Sequence, residues 1–126
     1  MQKYILLVDD EAVILYALQA KLRVEGFSVV AVEDGEKAWK QLVSMKPHVL
    51  VVDLLMPHVD GWELIARVRA DDELKDVPIV VISHLDDAES KKRAKELGVN
   101  LYLEKSSYTL DDIVEKIKGV VPNLKQ

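Results

Sequence analysis

Short aliphatic runs alternate along the chain with longer amphipathic stretches. The runs are Tyr4-Ile5-Leu6-Leu7-Val8, Ser28-Val29-Val30-Ala31-Val32, His48-Val49-Leu50-Val51-Val52, Ile79-Val80-Val81-Ile82 and Leu101-Tyr102-Leu103. They are apolar on both faces instead of alternating with polar residues, which is how parallel strands covered by helices on both sides read. Pro78 opens the fourth run, a place where a missing N–H is tolerated. Helical spacing fills the gaps. Ile14, Leu18 and Leu22 recur over 11–25 with Val13 and Ala17 alongside, and Ala38, Leu42 and Val43 form a face over 35–45. Leu64, Ile65 and Val68 do so over 61–70, and Leu110, Ile113, Val114 and Ile117 over 109–118. Asp34, Asp86 and Thr109 read as N-caps, and Gly26, Gly98 and Gly119 as C-terminal stops. A further helix over 86–97 carries only Ala88, Ala94 and Leu97 as apolar residues, which predicts a loosely held element.

Strict βα alternation predicts an α/β fold: a doubly wound parallel sheet of five strands with helices on both faces. Right-handed crossovers leave few topologies, and the common order for such a sheet is 2-1-3-4-5. Ligands bind past the carboxyl ends of the strands where the order reverses, here between strands one and three.

Composition narrows the function. The 126 residues suit one domain, and apolar residues at 49% with charged residues at 31% suit a globular core. The absence of cysteine excludes a disulfide scaffold, a thiolate metal site and a cysteine nucleophile. A net charge of −5 argues against general nucleic-acid binding. No stretch approaches the roughly 18 apolar residues of a membrane span, and the apolar run before Asp9 is too short for a signal peptide. The expectation is a soluble cytoplasmic protein, monomeric or weakly dimeric. The tail over 119–126 is too short to form another domain, so one domain over 1–126 is expected.

The first run ends in Asp9-Asp10-Glu11 and the third in Asp53, both beside the expected switch point. Two carboxylates about 5 Å apart repel by roughly 3 kcal/mol at an effective dielectric near 20. Either one is protonated or a cation lies among them, and an all-oxygen cluster suits magnesium. Taken singly, Asp9 and Asp10 could equally cap the first helix and Asp53 begin a turn; three acids at adjoining strand ends favour the cation. Ser83 ends the fourth run and Lys105 follows the fifth. A hydroxyl, an ammonium and a metal-binding acid cluster at one edge are what a phosphoryl group on a carboxylate requires.

These pieces, in this order, resemble the receiver domain of two-component response regulators. The matching segments are Val8-Asp9-Asp10-Glu11, Val52-Asp53-Leu54-Leu55-Met56-Pro57 with Asp60-Gly61, Ser83, and Tyr102-Leu103-Glu104-Lys105. The resemblance covers essentially the whole chain and implies a flavodoxin-like fold. A chemotaxis regulator of this family is a standing example of the 2-1-3-4-5 order, so that order is borrowed here and not independently derived. The resemblance also implies a signalling switch; with no output domain expected over 1–126, either it signals by docking to another molecule or it is one receiver of a longer protein. Asp53 would accept a phosphoryl group from a sensor histidine kinase or phosphotransfer protein. Asp10, Asp53 and the Leu55 carbonyl would ligate magnesium, with Asp9 acting mainly through bound water. Lys105 would pair with the phosphoryl oxygens, Ser83 would move to donate to them, and Tyr102 would swing inward behind Ser83. That would reshape the face of helix four, strand five and helix five for a downstream protein. The protein would assist its own phosphorylation and dephosphorylation without being an enzyme acting on a separate substrate.

Three features depart from the family pattern, one of them the strand-five entry Gly98-Val99-Asn100, where glycine-alanine is more frequent. Lys105 is followed by Ser106-Ser107 where proline is usual. A cis bond before a non-proline residue costs about 3 kcal/mol, so a trans loop is expected. His84 follows Ser83 where a small residue is usual, and is read as an exposed loop histidine, or one that crowds or donates to the phosphoryl group. Leu55 and Leu85 flank the expected site and predict slow loss of the phosphoryl group to water. Lys91, Lys92, Arg93 and Lys95 form a basic run on helix four, either solvated or facing an acidic partner. An unphosphorylated interaction module on the same fold is the competing reading. A flavin site lacks its glycine-rich loops here. A dehalogenase-type phosphatase would need an acid at Leu55.

Overall fold

The computed structural model describes residues 2–121, so Met1 and residues 122–126 of the tail lie outside the described residues. Five strands, β1 (Tyr4–Val8), β2 (Ser28–Val32), β3 (Val49–Val52), β4 (Ile79–Ser83) and β5 (Leu101–Glu104), alternate with helices. The helices are α1 (Ala12–Val24), α2 (Gly35–Ser44), α3 (Gly61–Ala70), α4 (Ala88–Glu96) and α5 (Leu110–Val120), with a 3-10 turn over Lys105–Ser107. The strands form one sheet in the order β2-β1-β3-β4-β5, every pairing parallel. This is the architecture expected from the alternating runs.

Side chains leave each strand to opposite faces, and both faces are covered. Leu6, Val8, Leu50 and Val52 pack against Leu42 of α2 and Leu64 of α3. Ile5, Leu7, Val49 and Val51 pack against Leu15 and Leu18 of α1 and Ile117 of α5. Ile5, Leu6, Leu50, Val49 and Val52 have no exposed surface. A strand in the middle of a doubly covered sheet has no solvent face, which is why polar alternation is missing from these runs.

Several local expectations need correction. Val13 is 85% exposed and Val43 61%. Leu15 takes the core position on α1, because helical rotation turns Val13 away from the side occupied by Leu18 and Leu22. The N-cap of α4 is Asp87, whose carboxylate accepts from the Ser90 N–H at 2.9 Å, while Asp86 pairs with Lys91 at 2.6 Å. Gly119 lies inside α5 and not past its end. Asp34 and Thr109 cap α2 and α5 as expected, Thr109 within a reciprocal capping box. Gly26 and Gly98 take the positive φ (99° and 72°) of left-handed helix stops.

α4 is the loosely held helix, with Ala94 its one buried residue. Two arginines compensate. Arg93 lies over the Trp62 ring, 4.2 Å from its centroid, tying α4 to α3. Arg69, at the end of α3, donates from Nε to the Leu97 carbonyl and from Nη2 to the Gly98 carbonyl, both at 2.8 Å. Its Nη1 reaches the Lys75 and Val77 carbonyls, also at 2.8 Å. One planar guanidinium thus satisfies carbonyls from the α4 terminus and the loop before β4. Arg69→Ala should lower unfolding free energy by about 2–3 kcal/mol in a urea titration. Arg69→Lys should recover only part of it, because an ammonium cannot fork to separated acceptors.

Candidate functional site

The carboxyl ends of β1, β3, β4 and β5 bring the expected site residues to one rim. The Asp53 N–H donates to the Val8 carbonyl at 2.9 Å, extending the β1–β3 pairing one residue beyond the strand. The Asp9 N–H donates to the Val32 carbonyl at 3.2 Å, tying the end of β1 to β2. The loop after β3 must pass close to the start of α3, where the Gly61 N–H donates to the Leu54 carbonyl at 3.0 Å. A Cβ at Gly61 would run into the Asp53 carbonyl oxygen, so this approach needs glycine. The Asp60 side chain caps α3 by accepting from the Glu63 N–H at 2.9 Å.

Asp9, Asp10 and Asp53 each place a carboxylate oxygen within 4.8 Å of the others. Asp9 and Asp53 are buried and Asp10 is exposed, so the cluster opens to solvent on one side. Lys105 is buried too, with its ammonium 2.9 Å from an Asp9 oxygen and 3.4 Å from Asp53 Oδ2. The Ser106 substitution therefore does not misdirect the lysine. The peptide bonds of the described residues are all trans, and the 3-10 turn after β5 carries the Lys105 stem into the rim.

Lys105 makes its shortest contact elsewhere, to Glu11 Oε1 at 2.6 Å. The same oxygen lies 2.9 Å from His84 Nε2. Nothing local in the sequence marks Glu11 as a lysine partner. It reads as the first residue of a helix, and only the meeting of three loops gives it this role.

Burial pushes the Asp53 carboxyl up to about 6; Lys105 pulls it down and the Asp9 charge raises it again. Lys105 is held above the ordinary lysine value: burial opposes its charge, and bonds to Glu11 and Asp9 outweigh that. The Lys105 bond is also the main reason that Glu11 titrates below the usual carboxylate range. One ammonium therefore leaves the cluster under-neutralised. Hard oxygen donors this close, two buried and one open to solvent, fit a hydrated divalent ion.

Ser83 is fully buried at the same rim. Its Oγ accepts from the Leu85 N–H at 3.1 Å, and among the described residues it makes no hydrogen bond to Asp53. Tyr102 is half-buried against the core, and its hydroxyl donates to the Leu85 carbonyl at 2.7 Å. Tyr102 is thus already anchored to the loop that follows Ser83. Leu55 is 51% exposed beside Asp53, and its N–H donates to Asp53 Oδ1 at 3.3 Å. His84 is exposed, as expected, yet bonded. Of the basic run on α4, Arg93 is engaged with Trp62 and Lys91 with Asp86.

Fold and rim together define a doubly wound α/β protein with an acid–lysine site at its switch point. The family model of the response regulator receiver domain matches residues 5–118. A probable transcriptional regulator, ycf27 of Porphyridium aerugineum, is 33% identical over 96% of this chain and 49% of its own length. A putative response regulator from Chloroflexus aurantiacus superposes with a TM-score of 0.86 at 30% identity, covering 100% of both chains. The manganese-bound form of response regulator Rcp1 does so at 0.85 and 27% identity, over 96% of each chain. The chain spans about half the length of the curated relatives it matches. It belongs to the response regulator receiver domain family of two-component signalling. Members of that family are phosphoacceptors and not classical enzymes. Among the described residues, no helix is long and apolar enough to cross a membrane.

The electrostatics make a stability prediction. A buried carboxylate held above its ordinary value costs stability at neutral pH. Asp53→Asn should raise the unfolding free energy of the metal-free protein by about 2 kcal/mol at pH 7. Chemical denaturation in the presence of a chelator measures it; a less stable variant would contradict the charge balance described here.

Proposed function

We propose that the protein is a phosphorylation-dependent switch in which Asp53 accepts a phosphoryl group from a phosphohistidine on a sensor kinase or phosphotransfer protein. The observation that carries this reading is the rim itself: Asp9, Asp10 and Asp53 with a carboxylate oxygen each within 4.8 Å of one another, and a buried ammonium 3.4 Å from Asp53 Oδ2.

An oxygen of Asp53 attacks phosphorus as the P–N bond of the donor breaks. The bonding pair stays on the imidazole nitrogen, which leaves as a neutral ring when the other nitrogen carries a proton. Lys105 lies close enough to follow the incoming oxygens by a small movement and neutralise them. The Ser83 hydroxyl donates to the same group after giving up its bond from Leu85. Asp10, Asp53 and the Leu55 carbonyl would hold magnesium, with Asp9 acting through water, and a metal held there would supply charge neutralisation for the transferring oxygens and the acids. Tyr102 reports the change. Its hydroxyl is anchored on the Leu85 carbonyl, so a shift of the loop after Ser83 moves the ring and with it the face of α4, β5 and α5 that meets a downstream protein.

The phosphoryl group should be long-lived, since Leu55 and Leu85 flank the site with apolar side chains where water would otherwise be oriented.

Incubation with acetyl phosphate and magnesium, followed by intact and peptide mass measurement, tests the reading. One phosphoryl group should appear at Asp53, depend on the metal, and vanish in Asp53→Asn. After donor removal, the double variant Leu55→Asn, Leu85→Glu should lose the group several-fold faster than wild type. A protein that stays unmodified would instead be an interaction module on this fold.

A further inference from the structure

Two of the positions at which this chain departs from the family pattern, His84 and Ser106, meet in space. Ser106 Oγ lies 3.5 Å from His84 Nδ1, and His84 Nε2 lies 2.9 Å from Glu11 Oε1. That oxygen also receives Lys105 at 2.6 Å, closer than Lys105 comes to Asp53 at 3.4 Å. Facing a carboxylate, Nε2 is the donor: its N–H donates to Glu11, and the Ser106 hydroxyl sits at the Nδ1 edge. Glu11 is the N-cap residue just before α1, His84 is on the loop after β4, and Ser106 is in the turn after β5. Three loops are therefore joined through one carboxylate.

We propose that Ser106, His84 and Glu11 form a latch that holds the Lys105 ammonium back from Asp53 and so sets the resting state of the switch. The inference rests on Asp53 being the phosphoacceptor. Before transfer, Lys105 is shared among Asp9, Glu11 and Asp53, with Glu11 holding the shortest bond. After transfer, the phosphoryl oxygens and Glu11 compete for the same ammonium. Glu11 alone is a half-exposed side chain on a helix end, and such a partner gives up its bond readily. His84 restrains it: with two donors on one oxygen, Glu11 loses its alternative rotamers and becomes a stronger competitor. His84 is a positioning residue in this account. It touches neither the phosphoryl group nor Asp53 and acts through Glu11 on Lys105.

The latch acts through a hydrogen bond and not through bulk, so variants of equal size separate the two. With acetyl phosphate as donor, the Asp53 oxygen–phosphorus bond forms as the donor P–O bond breaks and acetate leaves with the pair. At saturating magnesium, His84→Leu keeps the bulk and loses the donor. It should raise the phosphorylation rate constant about three- to tenfold, the range expected when an ordinary, partly exposed hydrogen-bond restraint is removed. His84→Gln retains an N–H donor of similar reach and should stay within about twofold of wild type. Glu11→Gln should match His84→Leu, and the double variant Glu11→Gln, His84→Leu should be no faster than Glu11→Gln alone, because both act on one bond. Binding of beryllofluoride, a phosphoryl mimic that does not react, should tighten in the same order. If His84→Leu and His84→Gln both behave as wild type while wild type is modified at Asp53, the latch is wrong and the phosphoacceptor reading stands. If His84→Ala is fast and His84→Leu is slow, bulk controls access and the latch is again overturned. If wild type takes no phosphoryl group at all, both fall together.

Discussion

Lys105 carries one positive charge into a rim that holds the carboxylates of Asp9, Asp10, Glu11 and Asp53. The ammonium and two of the acids are buried, where charges are poorly solvated and their mutual forces are strong. Such a group persists only if the surrounding structure fixes every member, since each carboxylate would otherwise turn to water. The charge is also unbalanced, and imbalance is what gives the site its chemistry. A single ammonium quiets the cluster enough for the protein to fold and leaves it short of cation, so that a divalent ion, or a phosphoryl group that redistributes the lysine, changes its energy substantially.

The fold answers that demand by placing the acids and the lysine on separate chain segments whose backbones are already fixed. Asp53 extends the β1–β3 ladder through its own N–H, and Asp9 is tied to β2 in the same way. Below them the sheet is packed on both faces by aliphatic side chains with almost no exposed surface. A close-packed interior resists adjustment. In the proposed switch, the rim residues would therefore answer a new charge by moving side chains and loops, while the strands hold position. The element with the least core beneath it is α4, with its single buried alanine.

How much of this was legible in the sequence depended on range. Strand runs and most helix positions follow from periodicity, because doubly covered parallel strands have one readable signature, whereas the strand order came from a known example of the fold and the crossover rules only narrowed the choice. The three aspartates were legible because strand ends at a switch point are placed by topology alone. Errors began where rotation by a residue or two mattered. Val13 and Val43 face solvent, and Asp87, not its neighbour Asp86, caps α4. Arg69 and the Glu11–His84 pair left no trace, because their partners are backbone carbonyls or loops far along the chain. The departures at His84 and Ser106 were visible as departures; that they touch each other could be seen only in three dimensions.

The central claim is that one ammonium leaves the acid cluster short of positive charge and that a divalent ion makes up the difference. A calorimetric magnesium titration of wild type and Lys105→Met tests it most directly. The account predicts one ion bound per chain, and binding tighter by about tenfold or more once the competing ammonium is gone, given the strength of charge interactions at this separation. Magnesium binding that is absent, or that weakens when Lys105 is removed, would contradict it.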